Sequence, residues 1–248
     1  MTGVVYLVGA GPGDPGLITV RGDRLLRDCD AIVYDRLVHP DLIPTDTSAT
    51  RHYVGKRDGD ASSWTQEAIN ALLVELARAG QRVVRLKGGD PCVFGRGGEE
   101  AQWLAQHGIR FEIVPGVTTG TAVPAYAGIP VTHRGVSTSV TFVTANADPA
   151  RKNMAVDWHA IGRTPGTLVI FMGAKTFPSI VPLLIEGGMS PDTLAAAVEW
   201  GTYDRQRTVT GTLTTLADRI TAAGMHAPVS IILGDVVRLR DEIDWFGR

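Results

Sequence analysis

Gly11-Pro12-Gly13-Asp14-Pro15-Gly16 is the stretch on which the reading of this 248-residue chain turns. It follows the apolar run Val4-Val5-Tyr6-Leu7-Val8-Gly9 and precedes a helical pattern through Leu25 and Leu26, so it occupies the turn from a first strand into a first helix. Its spacing satisfies G-x-G-x-x-G. Asp35 follows about 20 residues later at the end of a second apolar run, where a dinucleotide fold places its ribose-binding acid. On spacing alone the expectation is an NAD-dependent dehydrogenase. The residues between the glycines point elsewhere. A pyrophosphate is held by backbone N–H groups and the positive end of a helix, yet Pro12 and Pro15 have no N–H and Asp14 adds a carboxylate. The loop predicts a neutral or cationic ligand.

A second loop repeats this logic. Lys87-Gly88-Gly89-Asp90-Pro91 follows the apolar run 83–86 and leads into Phe94-Gly95-Arg96-Gly97-Gly98-Glu99-Glu100. Loops at the carboxyl ends of parallel strands converge on one crevice, which would gather Asp14, Asp35 and Asp90. Further strands are expected at 31–34, 51–54 and 111–114, with a helix between the third and fourth strands. That helix is expected to start at Ser63 as N-cap, with Gln66 completing a capping box; Ile69, Leu72, Leu73 and Leu76 lie on one face, and Gly80 stops it.

After a small-residue segment at 118–128, strands are expected at 139–144, 167–172, 195–200, 208–213 and 229–234, with helices at 180–185 and 216–223. The close spacing of 195–200 and 208–213 predicts an antiparallel hairpin, hence a mixed sheet. The fold class expected is α/β in two domains, 1–116 with a mostly parallel sheet and 117–248 with a mixed one, and a ligand cleft between them.

Composition narrows the function. Lys and Arg number 24 against 26 Asp and Glu, a net charge of −2, which argues against nucleic-acid binding and against a polybasic membrane surface. Of the 29 glycines and 14 prolines, 18 are concentrated in residues 9–16, 88–98 and 115–130, where strand ends would meet a ligand. A 44% hydrophobic content with mean hydropathy +0.06 is that of a soluble globular chain. No apolar run nears the roughly 18 residues of a membrane span, and no leader pattern opens the chain, so a cytoplasmic protein is expected. Cys29 and Cys92 lie far apart without metal-ligand spacing, which predicts neither a disulfide framework nor a metal site.

Four segments carry a family resemblance. Val8-Gly9-Ala10-Gly11-Pro12-Gly13-Asp14-Pro15, Tyr53-Val54-Gly55-Lys56-Arg57, the run 85–100, and Pro124-Ala125-Tyr126-Ala127-Gly128-Ile129-Pro130-Val131-Thr132-His133-Arg134 together resemble the tetrapyrrole methylase family. The resemblance covers essentially the whole chain. It implies two α/β domains, a homodimer, and S-adenosylmethionine as cofactor, leaving as S-adenosylhomocysteine. That cofactor carries a sulfonium cation and no phosphate, in keeping with the loops. By matching motif the implied cofactor contacts are Pro12, Gly88, Gly89, Asp90, Val93, Thr118, Thr119, Met172 and Gly201.

The resemblance further implies methylation of uroporphyrinogen III at C2 and C7 to give precorrin-2, for siroheme or cobalamin synthesis. A methyltransferase acting on a later corrin precursor is the close alternative. Asp35 is implied as base and Lys56 as acid. Removing a proton from a bridge carbon supplies the electron density with which a pyrrole carbon attacks the methyl group. The substrate carries eight carboxylates, so Arg36, Arg57, Lys87, Arg96 and Arg134, which flank the motif loops, are its expected partners. With room for one catalytic module, the chain is expected to leave later steps of siroheme synthesis to other proteins. Three departures stand out: no histidine follows Arg57 in 58–63, Ala145-Asn146 replaces a usual Gly-His, and Cys92 replaces a common phenylalanine.

Overall fold

Five short strands in the first half pair into one sheet. They are β1 (Val4–Gly9), β2 (Ala31–Tyr34), β3 (Thr50–Tyr53), β4 (Arg82–Lys87) and β5 (Arg110–Val114), in the order β3-β2-β4-β1-β5. Every pairing is parallel. The structure, a computed structural model, describes residues 2–55, 64–145 and 156–247. It divides into two units, Met1–Thr118 and Thr119–Arg248.

The period-2 pleat of the first sheet sorts its side chains between two layers of helices. Val5, Leu7, Ala31, Val33 and Val83 pack on one face with Ile69, Leu73 and Ala77 of α2 (Gln66–Arg78) and Ala101 and Leu104 of α3 (Gly97–Gln106). Val8, Ile32, Val84, Leu86 and Val114 face the other side, with Leu26 of α1 (Val20–Arg27). Leu26, Leu73 and Leu104 are almost wholly buried, each contributing about 1.5–3 kcal/mol of apolar transfer.

Two local expectations change. Helix α1 does not open on the glycine loop: a 3-10 turn, Pro15–Leu17, intervenes, and Thr19 caps α1 by accepting from the Gly22 N–H at 3.1 Å. Helix α2 is capped by Thr65, whose hydroxyl accepts from the Ala68 N–H, so Gln66 is its first residue rather than its third. Ser63 lies outside the described residues. Helix α3 arises inside the glycine-rich run that reads as loop.

Strand order marks the end of this unit at which open α/β sheets commonly bind ligands. The chain leaves β1 toward β2 and leaves its neighbour β4 toward β5, on opposite sides, which makes the β1/β4 boundary a topological switch point. The two glycine loops are the two connections that leave there.

The second unit holds β6 (Val140–Thr144), β7 (Thr167–Phe171), β8 (Leu194–Glu199), β9 (Arg207–Thr212) and β10 (Val229–Leu233), ordered β6-β7-β10-β8-β9. Strands β6 and β7 are parallel, whereas β10 runs antiparallel to β7 and β8, and β8 to β9. The expected hairpin and mixed sheet are therefore present. The small-residue segment folds as α4 (Thr119–Tyr126), with Pro124 inside it. Helix α5 (Trp158–Gly162) packs on α6 (Phe177–Glu186), and α7 (Leu216–Ala222) on β9. Phe177, Leu184, Leu213 and Leu216 fill the core against Ile170, Ala195, Ala197 and Ile231. A short last helix, α8 (Arg240–Ile243), precedes Trp245, whose indole N–H donates to the Ala125 carbonyl of α4 at 3.0 Å.

Candidate active site

Three strand ends meet backbone to backbone in the first unit. Gly11 donates its N–H to the Gly89 carbonyl at 3.2 Å, and Gly89 returns one to Gly11 at 2.6 Å. A Cβ on Gly9 would stand 2.5 Å from Gly116 Cα, and one on Gly116 would stand 2.4 Å from Gly89 O. No other residue type fits these two positions without displacing main chain. Asp90 locks the meeting point: its Oδ1 accepts from the Cys92 N–H at 2.7 Å and its Oδ2 from the Gly116 N–H at 3.0 Å.

The same hydrogen bonds decide the chemistry of the first loop. The N–H of Gly11 is committed to Gly89, and that of Gly16 to the Asp14 carboxylate at 2.7 Å. Pro12 and Pro15 have none, and α1 starts three residues beyond the 3-10 turn with its own threonine cap. Two of the loop's donors are spent in this way and the helix end lies beyond the turn, which counts against the pyrophosphate cradle on which the dehydrogenase expectation rests.

Asp35 follows β2 directly, two residues beyond Val33. Its Oδ1 accepts from the Leu37 N–H at 3.1 Å, its Oδ2 lies 3.4 Å from Arg85 Nη2, and its side chain is 29% exposed. Gly55 closes against this turn: a Cβ there would sit 2.8 Å from the Arg36 N and 2.3 Å from the Tyr53 hydroxyl. Lys56 and Arg57 lie outside the described residues.

Arg36, Arg96 and Arg134 are exposed. Arg96 is held by Glu99 through two hydrogen bonds of 3.1 and 2.7 Å, which raises its pKa. Lys87 departs from the expectation that it partners the substrate carboxylates. It is 4% exposed, with Nζ 2.9 Å from Glu100 Oε1, because it shares the inward pleat of β4 with Val83 and Arg85. Burial, with the Arg85 guanidinium alongside, pushes its pKa down against the pull of Glu100. Arg85 and fully buried Glu100 were missed from sequence; the available signal was Glu100's place in the stripe Gly97, Glu100, Ala101, Leu104 that α3 buries.

Pro12 and Gly89 are buried in the loop junction, and Gly88 and Val93 border it half-buried. Thr118 closes the first unit and Thr119 opens α4. In the second unit, β6, β7 and β8 point the same way, so the connections after them leave from one end of the sheet. Left-handed backbone gathers there in residues with side chains: Met172 follows β7 at φ +56, and Trp200 and Thr202 follow β8 at +49 and +71. Such conformations cost about 1–2 kcal/mol each and cluster where function demands them. Met172 is half exposed rather than packed in the core, while Gly201 is buried on Val123 of α4. The Arg205 guanidinium stacks on Trp200, 3.6 Å from the ring centroid.

Among the described residues, no helix is long and apolar enough to cross a membrane, and no group of three or more His, Cys, Asp or Glu is placed to hold a metal ion.

A parallel sheet with backbone-clasped glycine loops at its switch point, followed by a mixed-sheet unit with left-handed backbone at its strand ends, defines a two-unit α/β protein. The family model for tetrapyrrole (corrin/porphyrin) methylases matches residues 4–217, and the chain belongs to that family. It is 39% identical to a uroporphyrin III C-methyl transferase from Thermus thermophilus, with a TM-score of 0.81 over 96% of this chain and 100% of that one; a second structure of that protein contains S-adenosyl homocysteine. A cobalt precorrin-4 methyltransferase matches at 28% identity and TM-score 0.82, covering 94% of this chain and 95% of its own. A siroheme synthase of Chromobacterium violaceum is 48% identical over 99% of this chain. The chain spans about half of that relative's length, 52%.

Proposed function

We propose that this chain transfers methyl groups from S-adenosylmethionine to C2 and C7 of uroporphyrinogen III, forming precorrin-2. The observation that carries the reading is the likeness, at 39% identity over the whole of the relative, to a protein solved with S-adenosyl homocysteine. The charge of the strand-end loops supports the cofactor: Asp14 and Asp90 lie in the two glycine loops and Asp35 follows β2, and three carboxylates favour a sulfonium cation over an anion. Pro12, Gly88, Gly89, Asp90 and Val93 of the first unit, and Thr119, Met172 and Gly201 of the second, are the proposed contacts, with Thr118 at the junction. When bound, the cofactor supplies an electrophilic methyl group.

Asp35 is the proposed proton acceptor. Its carboxylate is partly exposed, fixed on one oxygen by the Leu37 N–H and on the other by Arg85, so it meets a substrate C–H in a set orientation. Lys56 is the proposed proton donor on its motif. Arg36, Arg96, Arg134 and Arg57 remain the proposed partners of the substrate carboxylates, whereas Lys87 belongs to the buried network. The chain is further proposed to act as a cytoplasmic homodimer in siroheme or cobalamin synthesis.

Mass spectrometry of uroporphyrinogen III incubated with the protein and S-adenosylmethionine tests the reading. Two methyl groups should be added, and Asp35→Asn should lower kcat about 10²–10⁴-fold. No mass gain on this substrate, with a gain on a later corrin precursor, would move the activity along the pathway.

A further inference from the structure

We propose that Arg85 and Glu100 are positioning residues that orient the Asp35 carboxylate from inside the first unit. The inference rests on the reading of Asp35 as proton acceptor. Arg85 is 3% exposed on the inward pleat of β4, and every nitrogen of its guanidinium is engaged. Nε donates to Glu100 Oε1 at 3.2 Å, Nη1 to the carbonyls of Val33 and Leu86 at 3.4 and 3.2 Å, and Nη2 to Asp35 Oδ2 at 3.4 Å. A planar fork held at three points cannot turn, so the one contact it makes toward solvent fixes the Asp35 oxygen it touches.

Glu100 is what holds the fork. Its Oε1 gathers Arg85 Nε, Lys87 Nζ at 2.9 Å and Gln66 Nε2 at 3.1 Å, and Gln66 is itself shared with Asn70 at 2.9 Å. Its Oε2 is buried with no partner among the described residues. A buried charge with an unsatisfied oxygen is a poor stabilising device, and apolar residues of similar volume often serve stability as well. The charges balance only when Asp35 is counted: two cations, Arg85 and Lys87, against Glu100 and Asp35. Burial is graded along the chain of contacts, from Glu100 at 0% through Arg85 at 4% to Asp35 at 29% side-chain exposure. The network therefore runs from a rigid interior to the one carboxylate that reaches solvent.

A double-mutant cycle on the 248-residue chain tests the relay. Arg85→Met and Glu100→Gln should each lower kcat about tenfold to a hundredfold with KM for S-adenosylmethionine unchanged, the signature of lost orientation. Arg85→Lys, which keeps the charge and loses the fork, should recover part of the loss and also serves if Arg85→Met does not fold. In an Asp35→Asn background the same substitutions should cost less than about twofold more. Losses that multiply in that background, or kcat unmoved by Glu100→Gln, overturn the relay while leaving the methyltransferase reading standing. Wild-type turnover in Asp35→Asn overturns the base assignment and the relay together. Denaturant unfolding gives a readout without activity: Asp35→Asn and Glu100→Gln, which do not touch each other, should be non-additive with Arg85 present and additive in Arg85→Met. Additivity in both backgrounds also overturns the proposal.

Discussion

The two units shape the backbone at their strand ends by opposite means. In the first, Gly9, Gly89 and Gly116 let three chains touch, and the contacts are internal. In the second, Met172, Trp200 and Thr202 adopt left-handed backbone while keeping their side chains. Glycine there would relieve strain at no steric cost, so the retained side chains are the point of the arrangement. The first unit supplies a rigid platform by omitting side chains; the second presents side chains at the expense of strain.

The largest effect expected is at the platform. Gly116→Ala drives a Cβ to within 2.4 Å of a carbonyl that has no freedom to move, and should destabilise the first unit by about 3 kcal/mol in denaturant unfolding. A loss below about 0.5 kcal/mol would mean the clasp is loose. Met172→Gly should do the reverse. Relief of about 1 kcal/mol of left-handed strain is offset by the 0.5–1 kcal/mol of extra unfolded-state entropy, so stability should hardly change. Titration calorimetry should then show S-adenosylmethionine binding weakened about tenfold, or 1.4 kcal/mol. Unchanged binding would reduce Met172 to a conformational accident.

Gly98 sharpens the contrast within α3. A Cβ there meets nothing within 4 Å, so Gly98→Ala should raise stability by about 0.5–1 kcal/mol, whereas Gly97→Ala meets the Pro91 carbonyl at 2.4 Å and should lower it. The smallest effect concerns pH. Because burial depresses the Lys87 pKa, the native state sheds this proton before the unfolded state as pH rises toward 10.5. The unfolded chain binds more protons in that window, so Lys87 makes stability rise with pH there, and Lys87→Met should remove that increment from alkaline unfolding curves.

Much of this contrast was legible beforehand. The central strands β1, β2 and β4 fall within a residue or two of the runs read from sequence because both faces of the first sheet are packed there. Pro12 and Pro15 were decisive, since a missing N–H is a property of the residue in any context. Helix α3 was hidden because Gly97-Gly98 opens it behind a left-handed Arg96, the poorest helix start by propensity. Helix α4 was hidden by Pro124 and its small residues. Arg85, Lys87 and Glu100 look like surface charges in a linear sequence; only the pleat they share with Val83 and the apolar stripe of α3 places them inside. Strain at Met172, Trp200 and Thr202 leaves no trace in composition.

The first glycine loop commits the N–H groups of Gly11 and Gly16 to the protein, an arrangement proposed to accept a sulfonium cofactor instead of a phosphate. Titration calorimetry of S-adenosylhomocysteine and of NAD against the same preparation tests it most directly. The account predicts saturable binding of S-adenosylhomocysteine and no heat from NAD; saturable NAD binding with no response to S-adenosylhomocysteine would contradict it.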